Sequence, residues 1–187
     1  MKNKMLIAVM MSLVFSSAIA ANNNDENNNK SDKHQTQAND KDAEILGWLV
    51  VVNNAEIDAA KEANKRELSS DVKDYADLMV KDHSKNLDQT MDLSKEMGHD
   101  PVKNASAKNL EKKATNKLNS MKRLNDKKFE SEYVVTMVND HTNALKDLDK
   151  HLKKVKNSDL KSHLSDTREH VSNHLEKAKD LKKELKS

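Results

Sequence analysis

The chain has 187 residues, no cysteine, two glycines, one proline, 3% aromatic and 34% charged residues, and a formal net charge of +2. So little turn chemistry excludes a β-rich fold and points to an all-α protein, and the missing cysteines exclude a disulfide framework and thiolate chemistry. Residues 1–20 contain two lysines and no acid, so the remainder balances at 31 charges of each sign and offers no excess of base to a nucleic acid.

Residues 1–20 read as an export signal. Lys2 and Lys4 form a short basic start, Met5 to Ile19 is mostly apolar, and Ala18-Ile19-Ala20 has the small-residue cleavage pattern. The mature chain is expected to begin at Ala21, in a periplasmic or extracellular setting. The apolar run is too short for a comfortable membrane span, and no later segment is apolar enough to cross a bilayer. Residues 21–41 carry Asn-Asn-Asn-Asp-Glu-Asn-Asn-Asn and almost nothing to bury, so they read as a disordered tail. Residues 42–187 then form one helical domain.

The first long helix is expected from about Asp42 to Lys65, capped by Asp40 or Asp42. Its apolar face is Ile45, Leu49, Val52, Ala60 and Ala63, interrupted by Glu56. The second starts after Ser69-Ser70 and carries Val72, Ala76, Met79, Val80, His83, Leu87 and Met91 on one face. Gly98 sits where a C′ residue belongs, and Pro101 confirms the stop. A short lysine-rich helix follows from about Ser106 to Met121, with a thin stripe of Leu110, Ala114, Leu118 and Met121.

The third long helix begins at Asp126. From Val134 its apolar positions, Val138, His141, Leu145, Leu148, Leu152 and Val155, alternate in steps of four and three, a heptad seam. Asn157-Ser158 breaks it and caps the last helix, from about Asp159 to Leu185. There Leu160, Leu164, Thr167, Val171, His174, Ala178, Leu181 and Leu185 keep the same rhythm. The short first and last connections make two antiparallel hairpins. The long middle connection, with its own helix of about 24 Å at ~1.5 Å per residue, returns the chain to the opposite end. The expected fold is a ferritin-like four-helix bundle, up-down-down-up, with an extra short helix in the crossover.

Met79-Val80-Lys81-Asp82-His83 recurs as Met137-Val138-Asn139-Asp140-His141, 58 residues later. In this topology His83, His141, His174 and Glu56, one from each long helix, lie about 15–22 Å from one end at ~1.5 Å per residue. Three readings of that level stay open. Each histidine is a core residue bonded to nearby acids or backbone; or the four groups form a hydrogen-bonded layer that fixes helix register; or three imidazoles and a carboxylate hold zinc, copper or iron. Asp82 and Asp140 cannot face their own neighbouring histidines, but each can accept the distal N–H of an imidazole on another helix. Their plainer role is a solvated acid beside a lysine such as Lys85. His170, one turn before His174, can chelate with it or support it from outside. His151 and His163 look like surface residues.

Glu56-Ile57-Asp58-Ala59-Ala60, the run Asp74-Tyr75-Ala76-Asp77-Leu78-Met79-Val80-Lys81-Asp82-His83, the pattern Phe129, Tyr133-Val134, Met137-Val138, Asp140-His141, and His174-Leu175-Glu176-Lys177-Ala178 together resemble an exported bacterial family. It is the ferritin-like domain of unknown function often labelled "predicted outer membrane protein". The resemblance covers about residues 42–185 and implies a ferritin-like bundle outside the cytoplasm, with Glu56, His83, His141 and His174 at the family's repeated positions. It implies no activity, and no alternating segments support a barrel. The Glu-x-x-His motif of di-iron bundles is missing, because Val80 and Val171 stand three residues before His83 and His174. The sequence reading is therefore a non-enzymatic metal-binding protein, or else a structural or interaction protein whose polar layer sets register.

Overall fold

The computed structural model describes residues 25–185, with side chains from Asp40 onward; the expected signal segment and the mature start at Ala21 lie outside the described residues. The described residues form five helices and no strand: α1 Asp25–Asn64, α2 Ser70–Met97, α3 Ala105–Met121, α4 Asp126–Leu152 and α5 Ser158–Glu184. None of them is long and apolar enough to cross a membrane.

Side-chain and glycine caps set most of the boundaries. Asn104, Asn125 and Asn157 each accept an N–H from the first turn of α3, α4 and α5. α2 ends on Gly98 at φ 67°, where the His99 N–H returns to the Ser94 carbonyl and the Gly98 N–H to that of Lys95. This is a Schellman closure, and it needs a residue that tolerates the left-handed region. α1 differs from the sequence reading. It does not start at Asp42, neither Asp40 nor Asp42 caps it, and residues 25–41 of the expected tail are helical. Extending an existing helix fixes one residue per hydrogen bond, and these residues include no glycine or proline to oppose it.

Two apolar clusters fill the interior. One joins Ala60, Val72, Met79, Phe129, Tyr133 and Ala178; the other joins Leu46, Leu49, Leu93, Leu148, Leu160 and Leu164. The end of α1, the start of α2, the start of α4 and the end of α5 therefore meet at one pole. α1 and α5 run one way, and α2 and α4 the other. Arg66 clamps that pole. Its guanidinium donates to the Leu124 and Lys122 carbonyls at 2.9 and 2.8 Å and lies 4.2 Å over the Phe129 ring.

Between the clusters lies a polar layer that includes Asn53, Glu56, His83, His141, Thr167 and His174, all buried. Two stripes run differently from the sequence reading at this level. In α1 Asn53 is buried and Val52 half-buried; in α2 Thr90, Leu93 and Ser94 are buried, Leu87 is half-buried and Met91 exposed. In α2 the successive steps of four from Met79 to Met91 turn the traced stripe about 40° each time, at ~100° per residue, and carry it past Thr90 off the buried face. In α1 the step of three from Leu49 to Val52 misses the buried Asn53, and the stripe rejoins the core at Glu56.

Gly47, inside α1, marks a close approach. A β-carbon there would sit 2.1 Å from the Val102 carbonyl oxygen, because the Val102 N–H donates to the Ala43 carbonyl at 2.8 Å. The α2–α3 loop is thus docked directly on the α1 backbone. Helix propensity alone would make Gly47→Ala stabilising by about 1 kcal/mol. The clash reverses the sign: the substitution is expected to destabilise by about 1–3 kcal/mol, lowering Tm by about 3–10 °C. A rise in Tm would mean that the loop does not lie on α1.

Candidate metal centre

The seam periodicity of α2, α4 and α5 turns one histidine of each into the layer. His83, His141 and His174 are 4%, 2% and 3% exposed. Their ring centroids are 5.7 Å apart for His83 and His141, 5.3 Å for His83 and His174, and 5.5 Å for His141 and His174. Each can present one ring nitrogen within 4.8 Å of those of the other two.

The hydrogen bonds decide which nitrogen each presents. His83 Nδ1 lies 2.9 Å from Asn53 Oδ1, and the Asn53 amide donates to the Leu49 carbonyl and to Asn86 Oδ1. The Asn53 oxygen is therefore the acceptor, and His83 carries its proton on Nδ1. His141 Nδ1 lies 2.9 Å from the Met137 carbonyl, which can only accept. His174 Nε2 lies 3.0 Å from Asp82 Oδ2. The remaining nitrogens, His83 Nε2, His141 Nε2 and His174 Nδ1, are buried with no hydrogen-bond partner. Three acceptors thus fix three tautomers and leave three lone pairs in one dry space.

Burial also keeps the rings neutral. Desolvation, then the neighbouring imidazoles, push His83 well below the ordinary histidine range. Desolvation and His174 take His141 down to about 3. His174 is lowered by burial, with Asp82 opposing. Neutral imidazole is the ligand form of histidine. Leaving a buried polar atom unpaired costs about 1–3 kcal/mol, so the layer is destabilising until its lone pairs are used.

Glu56, expected at the same level, stands beside the three rings. Its Oε1 is 4.0 Å from His141 Nδ1, the nitrogen already turned to Met137, and its Oε2 has no partner. Burial, then the Asp140 carboxyl, raises the Glu56 pKa well above the ordinary carboxyl range. Asp82 reaches across from α2 to the α5 imidazole, as an outer carboxylate does. Asp140, the equivalent residue of the repeat, makes no such bond. It opens toward a cavity under α3, and desolvation raises its pKa to about 6, against the pull of Lys117. His170 is exposed, and with Asp82, His83 and His174 it lines a small cavity of about 50 Å³ between α2 and α5; it does not join the three rings. His151 and His163 are half-buried, not surface residues: His151 lies against Trp48 at 4.9 Å, and His163 Nε2 meets Thr90 Oγ1 at 2.9 Å.

The sequence reading missed Asn53 and Asn86. Asn86 donates to Thr167 Oγ1 at 2.7 Å and receives from Asn53, so a chain of three side chains on three helices orients His83. The available signal was their place at heptad steps from Leu49 and His83, where a buried amide must find partners.

Three neutral imidazoles that can each offer a ring nitrogen within 4.8 Å of the other two can hold a metal ion. Tetrahedral ligation at 2.0–2.1 Å requires nitrogens about 3.4 Å apart, so nitrogens that lie within 4.8 Å of one another would close by up to about 1.4 Å around an ion.

The family described as Domain of unknown function (DUF4142) matches residues 27–181, and the chain belongs to it. No curated protein and no solved structure matches.

The histidines give a definite pH signature. They stay neutral in the fold but protonate near pH 6.5 when unfolded. Their contribution is complete above that pH and is lost as pH falls toward the depressed folded values. Glu56 and Asp140 act oppositely, favouring the fold at low pH, but the three rings outnumber them. The metal-free protein is expected to lose urea stability between pH 6.5 and 5. His83→Leu should reduce that loss by about 1.4 kcal/mol per pH unit. An identical slope in the variant would contradict a neutral His83.

Proposed function

We propose that this chain is an exported, non-enzymatic protein that binds one transition-metal ion, zinc, copper or iron, at His83, His141 and His174, for metal handling or stress protection. Its fold, on this reading, is a ferritin-like four-helix bundle with α3 in the crossover. The opposed directions of the α1/α5 and α2/α4 pairs support that architecture. Lys2, Lys4, the apolar run and Ala18-Ile19-Ala20 support export.

One observation carries the metal reading. Every imidazole has one nitrogen held by an acceptor and the other buried and unpaired, and the three ring centroids lie 5.3–5.7 Å apart. Core histidines that serve packing alone have no reason to leave three adjacent lone pairs unsatisfied. Glu56, with its free Oε2, is the fourth donor on this reading, supplied from α1 by a side-chain rotation. Neutral nitrogen with one carboxylate suits zinc, copper or iron better than calcium or magnesium.

Metal analysis and thermal melts test this. The purified mature protein is expected to hold about one equivalent of metal. Ion at a hundred times Kd should add about 2.7 kcal/mol, raising Tm by about 5–10 °C. His83→Ala should abolish the stoichiometric binding, and Glu56→Gln should weaken it while keeping one equivalent. Binding unchanged in His83→Ala would refute the site.

A second reading has its own support. The Asn53–Asn86–Thr167 chain links α1, α2 and α5 by side-chain hydrogen bonds and could fix register with no ion present. On that reading equimolar zinc leaves Tm unchanged, and His83→Leu keeps or raises stability.

A further inference from the structure

α3 is held at its two ends and open beneath its middle. Ala107 and Met121 are its buried residues. Between them Leu110 and Ala114 face a cavity of about 570 Å³ bounded by α1 and α4. That volume falls in the range of small-molecule pockets, ~300–1,000 Å³. Trp48, Val52 and Ala55 of α1 complete an apolar wall.

The two ends of the cavity differ in chemistry. At one end stands Glu56, buried, with Oε2 unpartnered and Asp140 beside it. Lysines line the rest of the cavity. Lys117, near Asp140, is engaged by Glu132, and Lys150, toward the far end, by Asp147, which also removes Asp147 as a free acid. Lys113 and Lys146 line the cavity and make no ion pair or hydrogen bond among the described residues. Asp140 and Lys146 are six residues apart on α4, about 9 Å along its axis at ~1.5 Å per residue. An apolar slot is therefore bounded at one end by a carboxyl oxygen without a partner and, about 9 Å along α4 at ~1.5 Å per residue, by the free Lys146, with the free Lys113 of α3 also lining it.

We propose that this cavity binds an elongated organic monoanion with an apolar body and a hydroxyl at its far end, of the ω-hydroxy medium-chain carboxylate class. The carboxylate meets Lys113 and Lys146, the chain lies over Trp48 and Leu110, and the hydroxyl meets Glu56. A hydroxyl meets the unpartnered oxygen with one hydrogen bond and carries no charge into the buried end. Both readings draw on Glu56 Oε2, so the cavity is tested on the metal-free full chain, where no ion engages that carboxyl.

Trp48 is the only tryptophan in the sequence, so its emission reports on the cavity directly. Titration with 8-hydroxyoctanoate is expected to change that emission saturably. Octanoate, lacking the hydroxyl, and 1,8-octanediol, lacking the charge, should each bind at least about ten-fold more weakly, a difference of about 1.4 kcal/mol. Ala114→Phe, which fills the slot, should abolish the response. Lys146→Glu, at an exposed position that leaves folding intact, should weaken binding by at least about ten-fold with unchanged helical circular dichroism. No saturable change in the wild-type protein, diol binding as tight as the hydroxy acid, or an undiminished response in Lys146→Glu would each overturn the proposal.

Discussion

Everything distinctive about this protein depends on three imidazoles meeting in a dry layer with one lone pair each left over. Two apolar clusters, one at each pole, would by themselves give an ordinary helical stack. The layer between them interrupts the hydrophobic seam on every long helix. Each unpaired nitrogen costs about 1–3 kcal/mol, against a total stability of about 5–15 kcal/mol for a typical domain. Such a layer needs an occupant or a specificity role to offset it. The outer partners are arranged as an occupant would require: an amide, a backbone carbonyl and a carboxylate each take one N–H, so every ring is fixed in orientation and tautomer before any ion arrives.

Glu56 links this layer to the rest of the molecule. It stands 4.0 Å from His141 on one side and lines the α3 cavity on the other. The crossover helix explains the difference between the two flanks of the layer. Where α2 and α5 face each other, seam packing leaves only a small gap beside His83 and His174. Where α3 replaces a full-length partner, its thin stripe spans from cluster to cluster and leaves a wide slot. The duplicated Asp-His motif diverges accordingly. Asp82 faces a packed helix and finds the His174 imidazole, while its counterpart Asp140 faces the slot.

Much of this was legible in the sequence. The starts of α2 to α5 fall within a residue of those read from the sequence and the Gly98 stop follows from glycine and proline, but only the α5 start rested on the asparagine that caps it; Asn104 and Asn125 were not singled out, and α2 has no side-chain cap bond. The level at which His83, His141 and His174 meet follows from heptad steps and from one choice of crossover. What was not legible has physical causes. Asn53, Asn86 and Thr90 are polar, so a stripe traced through apolar residues passed them by and ran to Val52, Leu87 and Met91 instead. Glu56 sits at the expected depth, but depth along an axis says nothing of rotation about it, and its carboxylate came to rest on the Nδ1 side of His141. Gly47 looked like an unfavourable helix residue, because the loop backbone that requires it comes from 55 residues further along the chain. The start of α1 depended on cheap helix extension, which composition does not reveal.

Nitrogen-resolved NMR of the histidine rings at pH 7 tests the central claim most directly, because it reads tautomer and charge ring by ring. The account predicts neutral rings, with the proton on Nδ1 in His83 and His141 and on Nε2 in His174. It also predicts that added zinc shifts the three unprotonated nitrogens and leaves the protonated ones bonded as before. Charged rings, a different tautomer at any of the three, or unprotonated nitrogens that ignore zinc would contradict it.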